Sequence, residues 1–159
     1  VDAGARRLLL KMVDEAFERK AWHGPNLRGA LRGVTAAQAA WRPGAGRHSI
    51  WELAVHAAYW KYAVRRRLTG EKRGSFALPG SNWFPRPDAA DAGAWRADVA
   101  LLVREHRLLR DVVAGLKVKD LDGRSAGSRQ SYATLICGIA SHDLYHAGQI
   151  SLLKRLCPL

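Results

Sequence analysis

The sequence predicts an all-α fold, a four-helix bundle with short extra helices in the connection between helices one and two. Four long segments carry apolar residues at alternating steps of three and four, the signature of a helix with one buried face. No segment alternates with period two over strand length, and Gly, Pro and capping residues cluster mainly between the four segments.

The first segment, Ala3 to about Lys20, puts Leu9, Met12, Val13, Ala16 and Phe17 on one face and Asp14, Glu15, Glu18 and Arg19 on the other. From Ala21 to Gly46 the density of turn residues, including Gly24, Pro25, Gly33, Pro43 and Gly44, permits only one or two short helices. The second long helix opens at Ser49-Ile50-Trp51-Glu52, where a Ser hydroxyl and a Glu three residues later satisfy each other's backbone amides as a capping box. It runs to about Leu68 and stops at Gly70.

Residues 71–90 hold Gly74, Pro79, Gly80, Pro85 and Pro87 around Trp83 and Phe84, too broken for a regular element and too aromatic for a disordered linker. An ordered loop packed onto the bundle is expected there. Between Asp91 and Leu116, Trp95, Val99, Leu102, His106, Leu109 and Val113 form the seam of the third long helix. After a Gly- and Asp-bearing loop the pattern returns from Ser131 to about Leu156 in Tyr132, Leu135, Ile139, His142, His146, Gln149 and Leu153. Four such helices with moderate connections read as one bundle domain over residues 1–159.

The bulk properties narrow the function. With 48% hydrophobic residues in 159 the chain can bury a core without staples. Neither end shows a secretory or membrane-spanning pattern, so a cytoplasmic location is expected. Cys137 and Cys157 fall on one predicted helix, separated by about 30 Å of axis, far beyond the roughly 7 Å that a disulfide spans. A reducing compartment agrees with that.

The net charge of +12 invites a nucleic-acid reading, through Arg65, Arg66, Arg67, Lys72 and Arg73 in particular. The remaining basic residues are scattered, no zinc-finger, helix-turn-helix or RNP-type motif accompanies them, and the 19 Arg against 7 Lys match the usage of a GC-rich genome. Nucleic acid is therefore the least favoured partner, and no membrane partner is expected.

The chemistry sits in the histidines. His142 and His146 lie one turn apart on the seam that carries Leu135, Ile139 and Leu153, so both point inward with Cβ atoms about 5–6 Å apart. Two buried imidazoles need a polar partner, and a shared divalent ion or neighbouring core groups would each supply one. A site built for chemistry takes three protein ligands and leaves a position open. His56, midway along the second helix, is the best third ligand and His106, on the third helix, the runner-up.

Trp51-Glu52-Leu53-Ala54-Val55-His56, followed much later by His142-Asp143-Leu144-Tyr145-His146-Ala147-Gly148-Gln149-Ile150, resembles the DinB/YfiT-like superfamily. The likeness extends over nearly the whole chain, through Ala21-Trp22-His23-Gly24-Pro25, Trp41-Arg42-Pro43 and Trp83-Phe84-Pro85, and the H-x-x-x-H-x-x-Q segment is its most specific part. The resemblance implies a four-helix bundle, often a homodimer, holding zinc or nickel through three histidines at the positions of His56, His142 and His146. It further implies thiol-dependent S-transferase or isomerase chemistry that uses a low-molecular-weight thiol in stress or detoxification.

Around those three, Gln149 shares the ligand face, Trp60 stands one turn after His56, Glu52 one turn before it, and His23 precedes a Gly-Pro turn. These four are the candidates for supporting the ligands or lining a small-molecule pocket, with Glu52 favoured as a cap and His48 expected to be exposed. Asp143 and Tyr145 are rotated about 100° off the ligand face, and neither cysteine is placed to act. Trp83, like Trp22, Trp41, Trp51 and Trp95, reads as core more than as a site contact. The function expected is a metal-dependent transferase or hydrolase in which a metal-bound water or thiolate is the nucleophile, with no general base identifiable. The alternatives are a non-catalytic stress or binding protein whose metal is structural and a basic protein associated with nucleic acid.

Overall fold

The computed structural model of the chain describes residues 2–158, with side chains from 4 to 158. Among them six α-helices run in the order α1 (Asp2–Phe17), α2 (Leu27–Leu31), α3 (Ala36–Ala40), α4 (Ile50–Thr69), α5 (Ala92–Gly115) and α6 (Tyr132–Leu156), with a 3-10 turn at Val118–Asp120 and no strand. No described helix is long and apolar enough to cross a membrane.

Local chemistry sets the helix ends. Ser49 Oγ accepts the Glu52 N–H and Glu52 Oε2 accepts the Ser49 N–H, each at 3.2 Å, and Gly70 closes α4 in the left-handed region at φ 76°. Asp91 caps α5 and Ser131 caps α6 through the amides of Ala94 and Thr134. A second capping box, Thr35 with Gln38, starts α3. Helix α1 ends at Phe17, short of Lys20, because the Asp14 carbonyl accepts from both Glu18 and Arg19 and the turn tightens there.

The four long helices form a ring in which α1 and α4 each pack against both α5 and α6. Contacts fix their directions. Trp51 meets Trp95 and Asp98 while Lys61 meets His106, so α4 and α5 run parallel. Trp60 meets His142 and Lys61 meets Asp143, whereas His56 reaches on to His146, so α6 runs antiparallel to α4.

Two parallel neighbours joined in sequence need a connection that returns the length of the first, about 30 Å for the 20 residues of α4. The segment between Gly70 and Asp91 makes that return along the flank of α4. Phe76 and Phe84 hold it down against Tyr59, with ring centroids 5.4 and 5.5 Å away, and the Tyr62 hydroxyl accepts the amides of Gly74 and Ser75.

The core is divided. One apolar cluster gathers Phe17, Leu53, Ala57, Leu101, Leu102, Ala147 and Ile150. The other gathers Val13, Val64, Leu109, Val113, Ile136 and Ile139. Between them lies a buried polar layer: Lys61 from α4, Glu105 and His106 from α5, and Asp143 from α6. Lys61 Nζ donates to Asp143 Oδ2 in a short ion pair, sits 3.4 Å from His106 Nδ1, and lies 4.7 Å from the centre of the Phe17 ring. Burial pulls the Lys61 ammonium down and the Asp143 carboxyl up, and the direct contact opposes both shifts.

Candidate metal centre

Helix direction and register bring three histidines from two helices to one point. His142 and His146 stack one turn apart on α6, and α4 runs past them so that His56 faces the pair. His142 Nε2 lies 3.2 Å from His56 Nε2 and 3.0 Å from His146 Nε2. The ligand atoms of all three lie within 4.8 Å of one another. Three nitrogens on a tetrahedral ion with metal–nitrogen bonds near 2.0–2.1 Å would stand about 3.3 Å apart. The spacing is that of a donor set around one small cation.

The far ring nitrogens decide what those Nε2 atoms present. His56 Nδ1 is 2.8 Å from the backbone carbonyl of Asn82, an acceptor only, so Nδ1 carries the proton and Nε2 a lone pair. His146 Nδ1 donates to Gln149 Oε1 at 2.6 Å, with the same consequence, and Gln149 Nε2 in turn donates to the Tyr145 hydroxyl at 3.3 Å. Two lone pairs thus converge on His142 Nε2, whose single proton cannot serve both. A divalent cation satisfies all three at once, and the residues present fit one.

Electrostatics agree. Burial pushes His56 down to about 4, against the bond to the Asn82 carbonyl, and His142 down to about 3, and it lowers His146 as well. All three rings are therefore neutral near pH 7, the form in which imidazole binds metal.

The crossover loop supplies the remaining wall. Asn82 takes a left-handed conformation at φ 63°, which asparagine tolerates, and so aims its carbonyl at His56 and its Oδ1 at the Trp60 indole N–H, 3.0 Å away. Trp83 stacks face to face on His56 at 3.8 Å and on its other face against His48 at 3.6 Å. Trp60 closes a further side, with its centroid 6.3 Å from His56 and 6.2 Å from His142.

The candidates named from sequence divide clearly. His56, His142, His146, Gln149 and Trp60 come together. Glu52 does not join them: it accepts the Arg42 guanidinium at 2.6 and 2.9 Å and completes its capping box. His23 is exposed in the turn before α2, with no hydrogen bond or ring contact to the cluster. His106 is wholly buried in the polar layer, stacked on Phe17 at 3.8 Å, with burial holding it down to about 2.

The sequence does not single out Asn82, and Trp83, expected in the core, is instead stacked on the imidazole ring of His56; the aromatic Trp83-Phe84-Pro85 run beside an Asn was the available signal. Tyr145 is 64% exposed and edges against His146 at 5.1 Å, neither core nor remote from the site. His48, although exposed, is fixed by Trp83. Asp143 is interhelical and buried. Of the basic run, Arg65 turns onto Glu71 and Glu105.

A search of curated proteins and a search of solved structures each returned no match. A family model, that of the DinB superfamily, matches residues 20–150, the span from the end of α1 through all three histidines. The chain belongs to the DinB superfamily.

Proposed function

We propose that this protein is a metal-dependent enzyme, a thiol-dependent S-transferase or a hydrolase serving stress or detoxification, whose divalent ion is held by His56, His142 and His146. The observation that carries the reading is the convergence of three neutral Nε2 atoms, two of them presented by anchored Nδ1–H groups. Zinc or nickel suits three imidazoles. Such an ion supplies Lewis acidity that brings the proton of a coordinated water or thiol within reach of neutral pH.

The chain's own groups do the rest. Asn82 and Gln149 hold the tautomers, Trp83 and Trp60 keep the His56 ring from turning and exclude water from one side, and the side of His142 toward Trp60 opens into a cleft. With a low-molecular-weight thiol as co-substrate, that cleft is the place for the second reactant. A homodimer belongs to the same reading; Tyr145, Leu152 and Leu156 are large apolar side chains left exposed along α6.

The test is metal content by mass spectrometry on tag-free protein, wild type beside His142→Ala. About one zinc or nickel per chain, lost on substitution, is the expected result and opens a screen of thiol-transfer and hydrolysis reactions. No metal after reconstitution would overturn the reading. A chelator that lowers the melting temperature of a protein with no turnover in that screen would make the metal structural instead.

A further inference from the structure

Beside His142 a cleft of about 370 Å³ runs between α4 and α6. Its α4 wall is Trp60, Val64 and Arg67, at steps of four and three, and its α6 wall is Thr134, Gly138 and His142, each one turn from the next, with Leu135 and Ile139 alongside. From His142 to Thr134 the floor covers about 12 Å of helix. One end is the histidine cluster, the middle is apolar, and Arg67, rooted at the far end of the α4 wall, reaches back with its guanidinium over the Trp60 indole.

Two observations mark this cleft as a binding site. Gly138 sits inside α6, where glycine costs about 1 kcal/mol relative to alanine. A Cβ at that position would meet no atom within 4 Å, so the bare backbone there leaves the cleft floor open. Arg67 is half-buried, has no ion pair or hydrogen bond among the described residues, and lies 5.9 Å from the Trp60 ring centre, held over the indole face.

The surroundings reinforce its charge. Arg66, Arg73 and Arg129 line the adjoining hollow with Arg67, and Glu71, the one acid there, is already bonded through both oxygens to Arg65. A half-buried cation facing an apolar trough in a positive field selects an anion with a greasy body.

We infer that the cleft binds a small amphipathic organic anion, its carboxylate on Arg67, its apolar body along Val64, Gly138 and Ile139, and its other end delivered to the three histidines. This rests on the metal reading only for the last clause, the delivery of the reactive end. Chain length is limited by the span between His142 and Arg67, and a molecule without the acid loses its anchor.

The probe is hexanoate, with hexan-1-ol as the uncharged control, titrated into metal-free protein and followed by NMR at the Trp60 indole N–H and the Gly138 amide. Hexanoate is expected to move both signals, hexanol to bind at least tenfold more weakly, Arg67→Gln to cost hexanoate about tenfold, and Gly138→Leu to remove binding. Gly138→Leu enters open space in a helix, so its melting temperature should not fall, and circular dichroism checks that the blocked variant is folded. Equal binding of hexanol, or unchanged affinity in Arg67→Gln, would overturn the inference.

A second arm uses cobalt(II)-loaded protein and 6-mercaptohexanoate. A sulfur-to-cobalt charge-transfer band that is lost in Gly138→Leu supports delivery to the histidines, and a loaded protein that binds hexanoate but shows no band would overturn it. If cobalt is not taken up at all, the metal reading fails, and the hexanoate arm alone decides whether the cleft binds the anion.

Discussion

Lys61→Met is expected to destabilise the fold by about 3–5 kcal/mol, because it leaves the Asp143 carboxylate in the core with no counter-ion. The side chains of Lys61 and Asp143 are each about 1% exposed, so water cannot rescue the charge, and with the ammonium gone Asp143 is driven to take up a proton. At about 2–4 °C per kcal/mol for a chain of this size, the melting temperature should fall by roughly 6–20 °C. The double variant Lys61→Met with Asp143→Leu replaces the pair by apolar groups of similar volume and should recover most of the loss. Urea unfolding of the wild type, both single variants and the double variant gives the coupling energy, expected to exceed about 2 kcal/mol. Losses that simply add, or a Lys61→Met variant within about 1 kcal/mol of wild type, would refute the claim that this pair locks α4 to α6.

Gln149→Ala should weaken zinc binding about 10- to 100-fold, measured by chelator competition, because His146 loses the acceptor that fixes its tautomer, whereas Gln149→Glu, which keeps an acceptor there, should bind at least as well as wild type. Metal-free protein should lose stability on acidification below pH 6.5, since His106 stays neutral in the fold down to about 2 while the unfolded chain takes up a proton near 6.5; the unfolded state then binds more protons, and each such histidine contributes a slope of about 1.4 kcal/mol per pH unit. His106→Leu should flatten the unfolding free energy, taken from urea melts between pH 6 and 4, by about that slope.

Where the information was local, the sequence was readable. The capping box at Ser49 and Glu52, the Gly70 stop and the spacing of His142 and His146 are set by neighbours within one or two turns, and α4 and α6 form where that pattern puts them. The choice for Glu52 between cap and site followed the same logic, since a cap needs only its own helix end. Asn82 illustrates the opposite case: it is 26 residues from His56 in the chain, and nothing in its immediate sequence says which imidazole its carbonyl will meet. Lys61 sits among apolar residues as an apparent exception to the pattern until Asp143, 82 residues away, explains it.

By itself, then, the amino-acid sequence determined the four amphipathic helices, the ends of all but the first, and an inward histidine pair that had to find a polar partner, because helical periodicity and capping are interactions between residues a few positions apart. The tertiary structure alone decided that α4 and α5 run parallel, that the connection between them therefore doubles back over α4, and that it lays Asn82 and Trp83 against His56. It also decided that Arg67 and Gly138 border one cleft. Those placements depend on which helix packs beside which and in what direction, a choice made by burying apolar surface and pairing buried charge across the whole bundle and carried by no single stretch of chain.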